Sequence, residues 1–270
     1  MSELSTNNQS YGNERYVPSY KVIFDHPKSH DYCLVIPVIN EGQRILSLLS
    51  KIRDFNLTSM VDIIIVDGGT TDGSLDNLEQ YKVNTLLLKT GKGKLSAQLL
   101  CAYAYAIDKN YQGILTIDGN DKDDPSAIPS FIEKLTEGYD FVQASRFIEG
   151  GVAVNTPKSR DFAIKYIHAP ILSLASGFHW TDTTQGFRGY SLRLLSDSRV
   201  NVFRECFSCY ELLAYLNYIA PRLKFRCIEM PTRRSYPKGK APTKISSFKG
   251  NFEVLKVLFK TVFGMYNTKL

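Results

Sequence analysis

Apolar and polar residues follow two different periods along the first half of the chain. Short apolar runs, which are typical of buried strands, alternate with longer segments in which apolar residues recur at helical spacing. The predicted strands are DYCLVIPV, VDIIIVDGG, NTLLLK, GILTID and YDFVQAS, and the predicted helices lie in EGQRILSLLSKIRDF, SLDNLEQY, GKGKLSAQLLCAYAYAIDKN and PSAIPSFIEKLTEG. This alternation predicts an α/β fold with a mostly parallel, doubly wound sheet flanked by helices.

The two ends of the chain differ from this regular region. Residues 1–30 are polar and rich in Asn, Ser and Tyr, which predicts a flexible arm. Residues 248–270 contain a predicted basic amphipathic helix with Lys256 and Lys260 near the border of its apolar face. Five apolar residues share that face: Phe252, Leu255, Phe259, Val262 and Phe263. The face either packs against the core or contacts a membrane surface.

Charge is distributed unevenly along the chain. The net charge is +6, but residues 222–270 carry 12 Lys and Arg against two acids, a local balance of +10, which leaves −4 for the preceding part. A segment with this excess of positive charge indicates contact with phosphate, nucleic acid or an anionic membrane. Its aromatic residues are not interleaved with the basic ones as a base-stacking platform requires, so we do not predict a nucleic-acid partner.

The five cysteines argue against a disulfide framework, because their number is odd and most lie in apolar stretches. Cys206 and Cys209 form a C-x-x-C pair, but no second pair completes a zinc site. The chain shows neither a signal peptide nor a run of about 18 apolar residues. We therefore predict a cytoplasmic protein, with any membrane contact made peripherally at the cytoplasmic face or through a membrane-protein partner.

Polar motifs follow three of the predicted strands where each strand ends. These motifs are PVINE, DGGTTD and DGND. Ligands of doubly wound sheets bind outside the carboxyl ends of the strands, so the acids of the three loops should converge on one cleft. The turn PVINEG lacks the G-x-G-x-x-G pattern of dinucleotide-binding proteins. The loops carry acidic residues where a dinucleotide-binding turn has glycines. This pattern predicts that the ligand is a phosphate group whose charge is neutralised by a bound metal.

The motifs resemble those of glycosyltransferase family 2, in its polyprenyl-phosphate sugar synthase (dolichyl-phosphate mannose synthase-like) branch. IPVINE is similar to the P-x-x-N-E opening of that family, IIIVDGGTTDGS to its V-D-D-G-S-x-D-G motif, and TIDGN stands where its D-x-D metal motif lies. ASRFIEGG, DTTQGFRGYS and the Arg-rich C-terminal segment resemble later parts of the branch. The resemblance implies a Rossmann-like nucleotide-diphospho-sugar transferase fold of glycosyltransferase A type. It further implies one domain over residues 31–247, with a nucleotide-sugar half (31–145) and an acceptor half (146–247).

The same resemblance implies which residues bind the nucleotide-sugar donor. Pro37, Glu41 and Asp67 would surround its base and ribose, although Asp67 could instead cap the turn after its strand. Lys92 and Lys94 would contact phosphate, or else lie exposed at the start of the following helix.

Asp118 and Asn120 would hold Mg²⁺ or Mn²⁺ against the diphosphate, and Asp118 is also a candidate catalytic residue. Two departures from the family pattern affect this site. Asn120 replaces the usual second aspartate, and Lys122 stands where the branch often has a glutamine ligand. Metal affinity should therefore be lower, and the sequence leaves metal dependence open. Lys122 would neutralise diphosphate charge itself or pair with neighbouring aspartates.

The chemical nature of the acceptor decides which further side chains are needed. A lipid phosphate is already an anion and requires cations rather than a base, for which the candidates are Arg146, Arg160, Arg233 and Arg234. A sugar hydroxyl requires a carboxylate to take its proton, and Asp182 is the first candidate, with Glu211 second. The alternatives are that Asp182 caps a turn and Glu211 pairs with a loop arginine. Arg188 joins the predicted catalytic residues as a further phosphate-binding guanidinium.

Together these residues predict an inverting glycosyltransferase that moves a sugar from a nucleoside diphosphate to a polyprenyl phosphate of the dolichyl or undecaprenyl type. One alternative is a family 2 enzyme that acts on a glycan hydroxyl in surface polysaccharide assembly. The other alternative is a non-catalytic partner protein that binds nucleotide sugar. The presence of both donor-side and acceptor-side motifs favours an enzyme.

Overall fold

The computed structural model describes residues 15–237 and 248–267, apart from the side chains of residues 248–251. The strands in these residues are β1 (Tyr20–Asp25), β2 (Tyr32–Val38), β3 (Asp62–Asp67), β4 (Val83–Lys89), β5 (Gly113–Thr116), β6 (Phe141–Ser145), β7 (Val152–Val154), β8 (Arg188–Ser191), β9 (Cys227–Pro231) and β10 (Arg233–Ser235). The helices are α1 (Gln43–Asp54), α2 (Leu95–Asp108), α3 (Ile128–Thr136), α4 (Lys158–Ala163), α5 (Ala169–Ser176), α6 (Leu192–Ser196), α7 (Glu211–Arg222) and α8 (Phe248–Val262). A π-helical segment, Ile164–His168, joins α4 to α5.

Eight of these strands form one sheet in the order β1-β4-β3-β2-β5-β8-β6-β9. The central strands β4, β3, β2 and β5 run parallel, as do β6 and β9. β1 and β8 are antiparallel to their neighbours, and β7 pairs with β10 in a separate parallel sheet. The predicted α/β fold with a mostly parallel sheet is therefore confirmed. The strand order reverses between β2 and β5, which creates a crevice at their carboxyl ends.

The sheet has an apolar core on each face. Along β2, Cys33 and Val35 pack with residues of α2 and α7, whereas Leu34, Ile36 and Val38 pack with residues of α1 and α3. A strand covered by helices on both faces needs apolar residues at consecutive positions, because successive side chains point to opposite faces. This explains the unbroken apolar runs in the sequence.

Part of the predicted N-terminal arm is a strand. Tyr20–Asp25 pairs antiparallel with β4 at the edge of the sheet. Asp25 also accepts hydrogen bonds from Tyr105 and from Lys109, the latter at 2.6 Å from Nζ, so the edge is tied to α2 by polar contacts. An edge strand with one solvated side lacks the apolar run that reveals a central strand. Residues 1–14 and the predicted domain boundary at residue 247 lie outside the described residues.

The segment SLDNLEQY forms only the short 3-10 helix Glu79–Tyr81 rather than the predicted helix. Asp72 accepts a hydrogen bond from the Ser74 N–H at 3.0 Å, and Gly73 has a positive φ of 73°, so the chain turns here. Short polar side chains that bond to nearby backbone groups favour turns over helices.

Helix α8 divides its apolar residues between two sides. Val257 and Leu258 are buried against the core, with Leu255 and Val262 packed beside them. Three of the predicted face residues point the other way and are 62%, 47% and 78% exposed, namely Phe252, Phe259 and Phe263. Within the described part of the chain, no helix is both long and apolar enough to cross a membrane.

Candidate active site

Three loops meet at the carboxyl ends of β2, β3 and β5. Gln98 of α2 donates through Nε2 to the carbonyl oxygens of Val38 (2.9 Å) and Val66 (2.7 Å), which joins the ends of β2 and β3. The Asn40 Oδ1 atom accepts a hydrogen bond from the Thr71 N–H at 2.8 Å and ties the two following loops together. The convergence that the strand pattern predicts is present in the fold.

The acids after β2 and β3 are each held in a fixed orientation. Glu41 is 8% exposed and forms an ion pair with Nη2 of Arg44 at 2.8 Å. Asp67 accepts hydrogen bonds through Oδ1 from the N–H groups of Gly69 (3.0 Å) and Thr70 (2.7 Å). Asp67 therefore caps its turn, and this contact also fixes its carboxylate at the end of β3.

Asp118 follows β5 and is 24% exposed. It lines a small pocket together with Pro37, Leu99 and Gly186. A Cβ atom added to Gly186 would lie 2.1 Å from Oδ1 of Asp118, so a larger residue cannot occupy this position without moving the carboxylate. We name Pro37, Glu41, Asp67 and Asp118 the donor rim. The predicted phosphate ligands Lys92 and Lys94 are exposed, and Lys94 lies at the start of α2.

The four aspartates of DGNDKDD have separate structural roles. Asp121 forms an ion pair with a lysine of α1 at 2.7 Å, and Asp124 caps the next 3-10 helix. Asp123 is buried against Arg234. Of the four, Asp118 is the one placed at the rim of the pocket.

The predicted metal ligands do not fit a resident divalent cation. Oδ2 of Asp118 already accepts a hydrogen bond from Nη2 of Arg234 at 3.2 Å, and Oδ1 of Asn120 accepts one from the Lys122 N–H at 3.3 Å. The Lys122 ammonium is a donor and cannot coordinate a cation. Over the described ranges, no three or more His, Cys, Asp or Glu side chains are grouped as ligands of one ion.

Three cations surround the ring of Tyr236. Lys122 Nζ lies 5.0 Å from the ring centroid, the guanidinium carbons of Arg160 and Arg234 each lie 5.8 Å from it, and Nη1 of Arg160 donates to the Tyr236 hydroxyl at 3.2 Å. Burial alone would raise the pKa of Tyr236, but Arg234, Arg160 and Arg146 lower it to about 7. We name Lys122, Arg160, Arg234 and Tyr236 the cation cluster.

Backbone contacts join the cation cluster to the donor rim. The Ser235 N–H of β10 donates to the Lys122 carbonyl at 2.7 Å, and the Asp124 N–H donates to the Arg233 carbonyl at 3.1 Å. Strand β10 therefore lies along the loop that follows Asp118. Arg233 itself is exposed, whereas Arg234 is 4% exposed.

Within this site, two buried guanidinium groups have donors without a protein acceptor among the described residues. Nη1 of Arg146 and Nε of Arg234 have no hydrogen-bond partner among the described residues. An unpaired buried donor is costly, so such a group indicates a ligand that would accept its hydrogen bond. Because both donors belong to cations, an anionic ligand fits them best.

Asp182 is fully buried and forms an ion pair with Nε of Arg146 at 2.6 Å. It also accepts hydrogen bonds from Gln185 (2.8 Å) and from the Thr184 N–H (3.2 Å). Burial would raise the pKa of this carboxyl group, but the charge of Arg146 and these hydrogen bonds lower it. The geometry supports a positioning role for Asp182 rather than the role of base that the sequence suggests.

The other two predicted catalytic residues are engaged in local structure. The fully buried Arg188 donates to the backbone carbonyls of Gln185 (2.8 Å), Thr183 (3.0 Å) and Leu213 (2.8 Å). Oε2 of Glu211 accepts hydrogen bonds from the N–H groups just before α7. These contacts support anchoring roles for both residues, Arg188 between backbone segments and Glu211 on the loop that precedes α7, in place of a pairing between Glu211 and a loop arginine.

Sequence reasoning missed four residues of this region. Asp123 was considered only as a neighbouring aspartate of Lys122, and Gln98, Gly186 and Tyr236 were not singled out. A polar residue inside the apolar helix sequence SAQLL was a usable signal for Gln98, because a buried amide needs partners. No local pattern marks the pairing of Asp123 with Arg234, which are separated by 111 positions.

Curated relatives match most of the chain. The chain is 24% identical over 201 residues to the undecaprenyl-phosphate mannosyltransferase of Micrococcus luteus, covering 73% of this chain and 80% of that protein. It is 26% identical over 207 residues to the undecaprenyl-phosphate 4-deoxy-4-formamido-L-arabinose transferase of Aeromonas hydrophila, covering 73% of this chain and 57% of that protein.

Solved structures share the fold at low sequence identity. Mannosyl-3-phosphoglycerate synthase from Rubrobacter xylanophilus superposes with a TM-score of 0.61 at 12% identity, covering 88% of this chain and 76% of that one. Glucosyl-3-phosphoglycerate synthase from Mycobacterium tuberculosis, in complex with Mn²⁺, UDP-glucose and phosphoglyceric acid, superposes with a TM-score of 0.59 at 14% identity, covering 86% and 79%. The glycosyltransferase A type fold that the motifs imply is thereby confirmed.

The family model described as glycosyl transferase family 2 matches residues 33–199. This range contains the three loops at the strand ends, Asp118 and the buried pair of Arg146 with Asp182. Since the match spans more than half of the sequence, the chain belongs to glycosyl transferase family 2.

Proposed function

We propose that this protein transfers a sugar from a nucleoside diphosphate sugar to a polyprenyl phosphate, with inversion at the anomeric carbon. The names of two relatives support this acceptor, since both are undecaprenyl-phosphate sugar transferases. The first of them is covered over 80% of its length by this chain.

The main support for this acceptor is that both candidate carboxylate bases are held by other protein groups, whereas buried arginine N–H groups lack an acceptor. Asp182 is buried in an ion pair and Glu211 accepts hydrogen bonds from the backbone of the loop before α7, so neither suggested base is directed at an acceptor hydroxyl. Arg146 and Arg234 instead retain buried donors that fit phosphate oxygens, Arg146 those of the acceptor and Arg234 those of the donor diphosphate. An acceptor that is already an anion needs cations such as Arg146 and Arg160 and no base.

In the proposed reaction, an oxygen of the acceptor phosphate attacks the anomeric carbon of the donor sugar. A new carbon–oxygen bond forms as the bond to the diphosphate breaks, and the electron pair of the broken bond stays on the leaving diphosphate. Arg160, with Nη1 of Arg146, would orient the acceptor phosphate beside the Tyr236 hydroxyl. Mn²⁺ accompanies UDP-glucose in a structural neighbour, but we assign it no step here because the residues around Asp118 do not fit a resident ion.

The donor rim would hold the nucleotide end of the donor. Pro37 and Asp118 border one pocket, and the carboxylates of Glu41 and Asp67 can accept hydrogen bonds from base or ribose groups. Lys92 and Lys94 are exposed, which leaves their predicted contact with phosphate dependent on a bound donor.

If the acceptor is a lipid, the exposed side of α8 is suited to contact the membrane that contains it. Phe252, Phe259 and Phe263 are exposed beside Lys256, so the helix combines apolar and basic groups on its outer side. We propose peripheral contact with the cytoplasmic face of an anionic membrane through this side. In a vesicle flotation assay, Phe259→Ser with Phe263→Ser should reduce binding to anionic vesicles, and unchanged binding would contradict the contact.

A donor screen tests the proposed activity. Purified protein would be mixed with each nucleoside diphosphate sugar, with and without a short-chain polyprenyl phosphate, and nucleoside diphosphate release would be measured. Release from one donor that the lipid stimulates supports the proposal. Release only with a glycan acceptor would favour hydroxyl transfer, and tight nucleotide binding without release would favour the non-catalytic partner.

A further inference from the structure

The fold brings more positive charge to the surroundings of Asp118 than the aspartate-rich sequence of its loop suggests. Beside Arg234, the carboxylates of Asp118 and Asp123 stand against three cations, Lys122, Arg160 and Arg234 itself. The other two aspartates of DGNDKDD are engaged away from these cations, because Asp121 pairs with Lys51 and Asp124 caps the next 3-10 helix. While the Tyr236 phenol is neutral, the groups around Arg234 therefore carry an excess of positive charge. Such a site attracts an anion before any metal is bound.

Two of these cations are fixed in place. Lys122 is 7% exposed and Arg234 is 4% exposed, and the Ser235 N–H holds the Lys122 carbonyl at 2.7 Å. Arg234 donates to both Asp118 and Asp123, yet its Nε atom has no hydrogen-bond partner among the described residues. Positive groups that are fixed and shielded from water stabilise a developing negative charge more strongly than mobile surface lysines do.

We propose that Lys122 and Arg234 neutralise the leaving diphosphate, so that sugar transfer by this protein does not require a divalent cation. This inference rests on the proposed function, because it concerns the same bond cleavage. When the anomeric carbon–oxygen bond breaks, its electron pair remains on the diphosphate beside these two cations. The acceptor phosphate supplies the electron pair of the new bond, and no proton has to be moved.

The same arrangement disfavours a metal ion. Asn120 offers a neutral amide, and Oδ2 of Asp118 already accepts a hydrogen bond from Arg234 at 3.2 Å. A divalent cation bound to Asp118 would lie beside two buried cations, Arg234 and Lys122. Coulomb repulsion between a divalent cation and two fixed positive charges opposes binding, most strongly where water is excluded.

The first test compares transfer rates in a chelator with rates in Mg²⁺ or Mn²⁺. We expect the wild-type rate in EDTA to stay within about threefold of the rate with metal, and Lys122→Gln to lower the EDTA rate by about a hundredfold, the usual scale for one preorganised charge-stabilising group. Lys51→Gln is the matched control, because Lys51 is a 45% exposed cation paired with Asp121 in the same loop. It should behave as wild type.

A second variant tests whether the site can be converted into a metal site. Asn120→Asp supplies a carboxylate in place of a neutral amide, and Lys122→Gln replaces a cation with an amide oxygen that can bind a metal. This double variant should be inactive in EDTA and regain activity with Mn²⁺. A wild-type enzyme that loses activity in EDTA and regains it with Mn²⁺ would overturn the inference while leaving the proposed transferase function intact.

Calorimetric titration of UDP and GDP in EDTA gives a readout that does not depend on turnover. Wild-type protein should bind one of these nucleotides without metal, and Lys122→Gln should weaken that binding by about tenfold, the loss of one charge-assisted contact. Binding that needs Mn²⁺, binding that the variant leaves unchanged, or no binding would overturn the inference. If no donor is turned over under any condition, the proposed function fails, and these titrations still decide whether the cations hold a diphosphate.

Discussion

The donor rim and the buried ion pairs of the site hold their charges in different ways. Asp67 and Asp118 stand at the ends of central strands, and the Asp118 side chain is still 24% exposed although it also contacts Arg234. Two ion pairs are buried, Arg146 with Asp182 and Arg234 with Asp123, and we name them the buried pairs. The donor rim takes its geometry mainly from the sheet, whereas the buried pairs are held in place by their opposite charges.

This difference has an energetic consequence. Taking two charges out of water is costly, and the cost is offset only while both partners and their hydrogen bonds are present. Loss of one partner from a buried pair should therefore damage the fold. Loss of a side chain at the donor rim should damage activity and leave the fold largely unchanged, because the strand backbone defines that edge.

The largest expected effect is on stability, in Asp182→Ala. The substitution leaves Arg146 without its carboxylate in a fully buried site, and it also removes the acceptor for Gln185. We expect a loss of about 3–5 kcal/mol in the free energy of unfolding, the range for breaking a buried pair. Urea denaturation at neutral pH measures this change.

Lys51→Ala is the matched control, since it removes an ion pair between Asp121 and Lys51, a lysine that is 45% exposed. It should cost about 1 kcal/mol or less. Equal losses in the two variants would contradict the contrast between the two regions. Arg146→Met combined with Asp182→Leu should recover much of the lost stability, because it removes both buried charges together.

The next effect concerns activity at the donor rim. Asp118→Ala should lower the transfer rate by about a hundredfold or more, the usual scale for one preorganised polar contact, with little change in unfolding free energy. Gly186→Ala should reduce the rate as well, because its Cβ would lie 2.1 Å from Oδ1 of Asp118. Steady-state kinetics and thermal melts separate the two effects.

The control in the same loop is Asp124→Ala, which removes a cap of the next helix and lies outside the pocket. It should cost about 1 kcal/mol of stability and leave the transfer rate unchanged. Normal transfer by Asp118→Ala would show that the donor rim is not the catalytic site.

How much the sequence could predict differs between the same two regions. The strands β2, β3 and β5 and the loops that follow them were predicted, because buried parallel strands leave unbroken apolar runs and place their ends together. The pairing of Asp123 with Arg234 was missed, because charges 111 positions apart leave no periodic signal. The face of α8 was only partly predicted, since periodicity does not say which apolar side chains find a partner.

The smallest expected effect is a change of acceptor affinity with pH at Tyr236. Its pKa of about 7 in the fold lies below the ordinary value near 10, because Arg234, Arg160 and Arg146 outweigh its burial. The phenol is neutral below that pKa and becomes an anion above it. Above neutral pH the phenolate should therefore compete with the acceptor phosphate for Arg160 and Arg146, and the contribution of the phenolate to stability should appear as pH rises from 7 towards 10.

Two measurements test this competition. The tyrosinate absorbance of wild type should show one titration near pH 7 that is absent in Tyr236→Phe. The KM for the acceptor should rise several-fold between slightly acid and slightly alkaline pH in wild type, and by less in Tyr236→Phe, with kcat little affected in either protein. Because the variant keeps Lys122, Arg160 and Arg234, a rise of equal size in both proteins would show that the lipid phosphate or the cations themselves cause the pH dependence. If instead the low-pH titration is present and the difference in KM follows it, the tyrosine is a built-in competitor of the acceptor, and the cations around it bind phosphate.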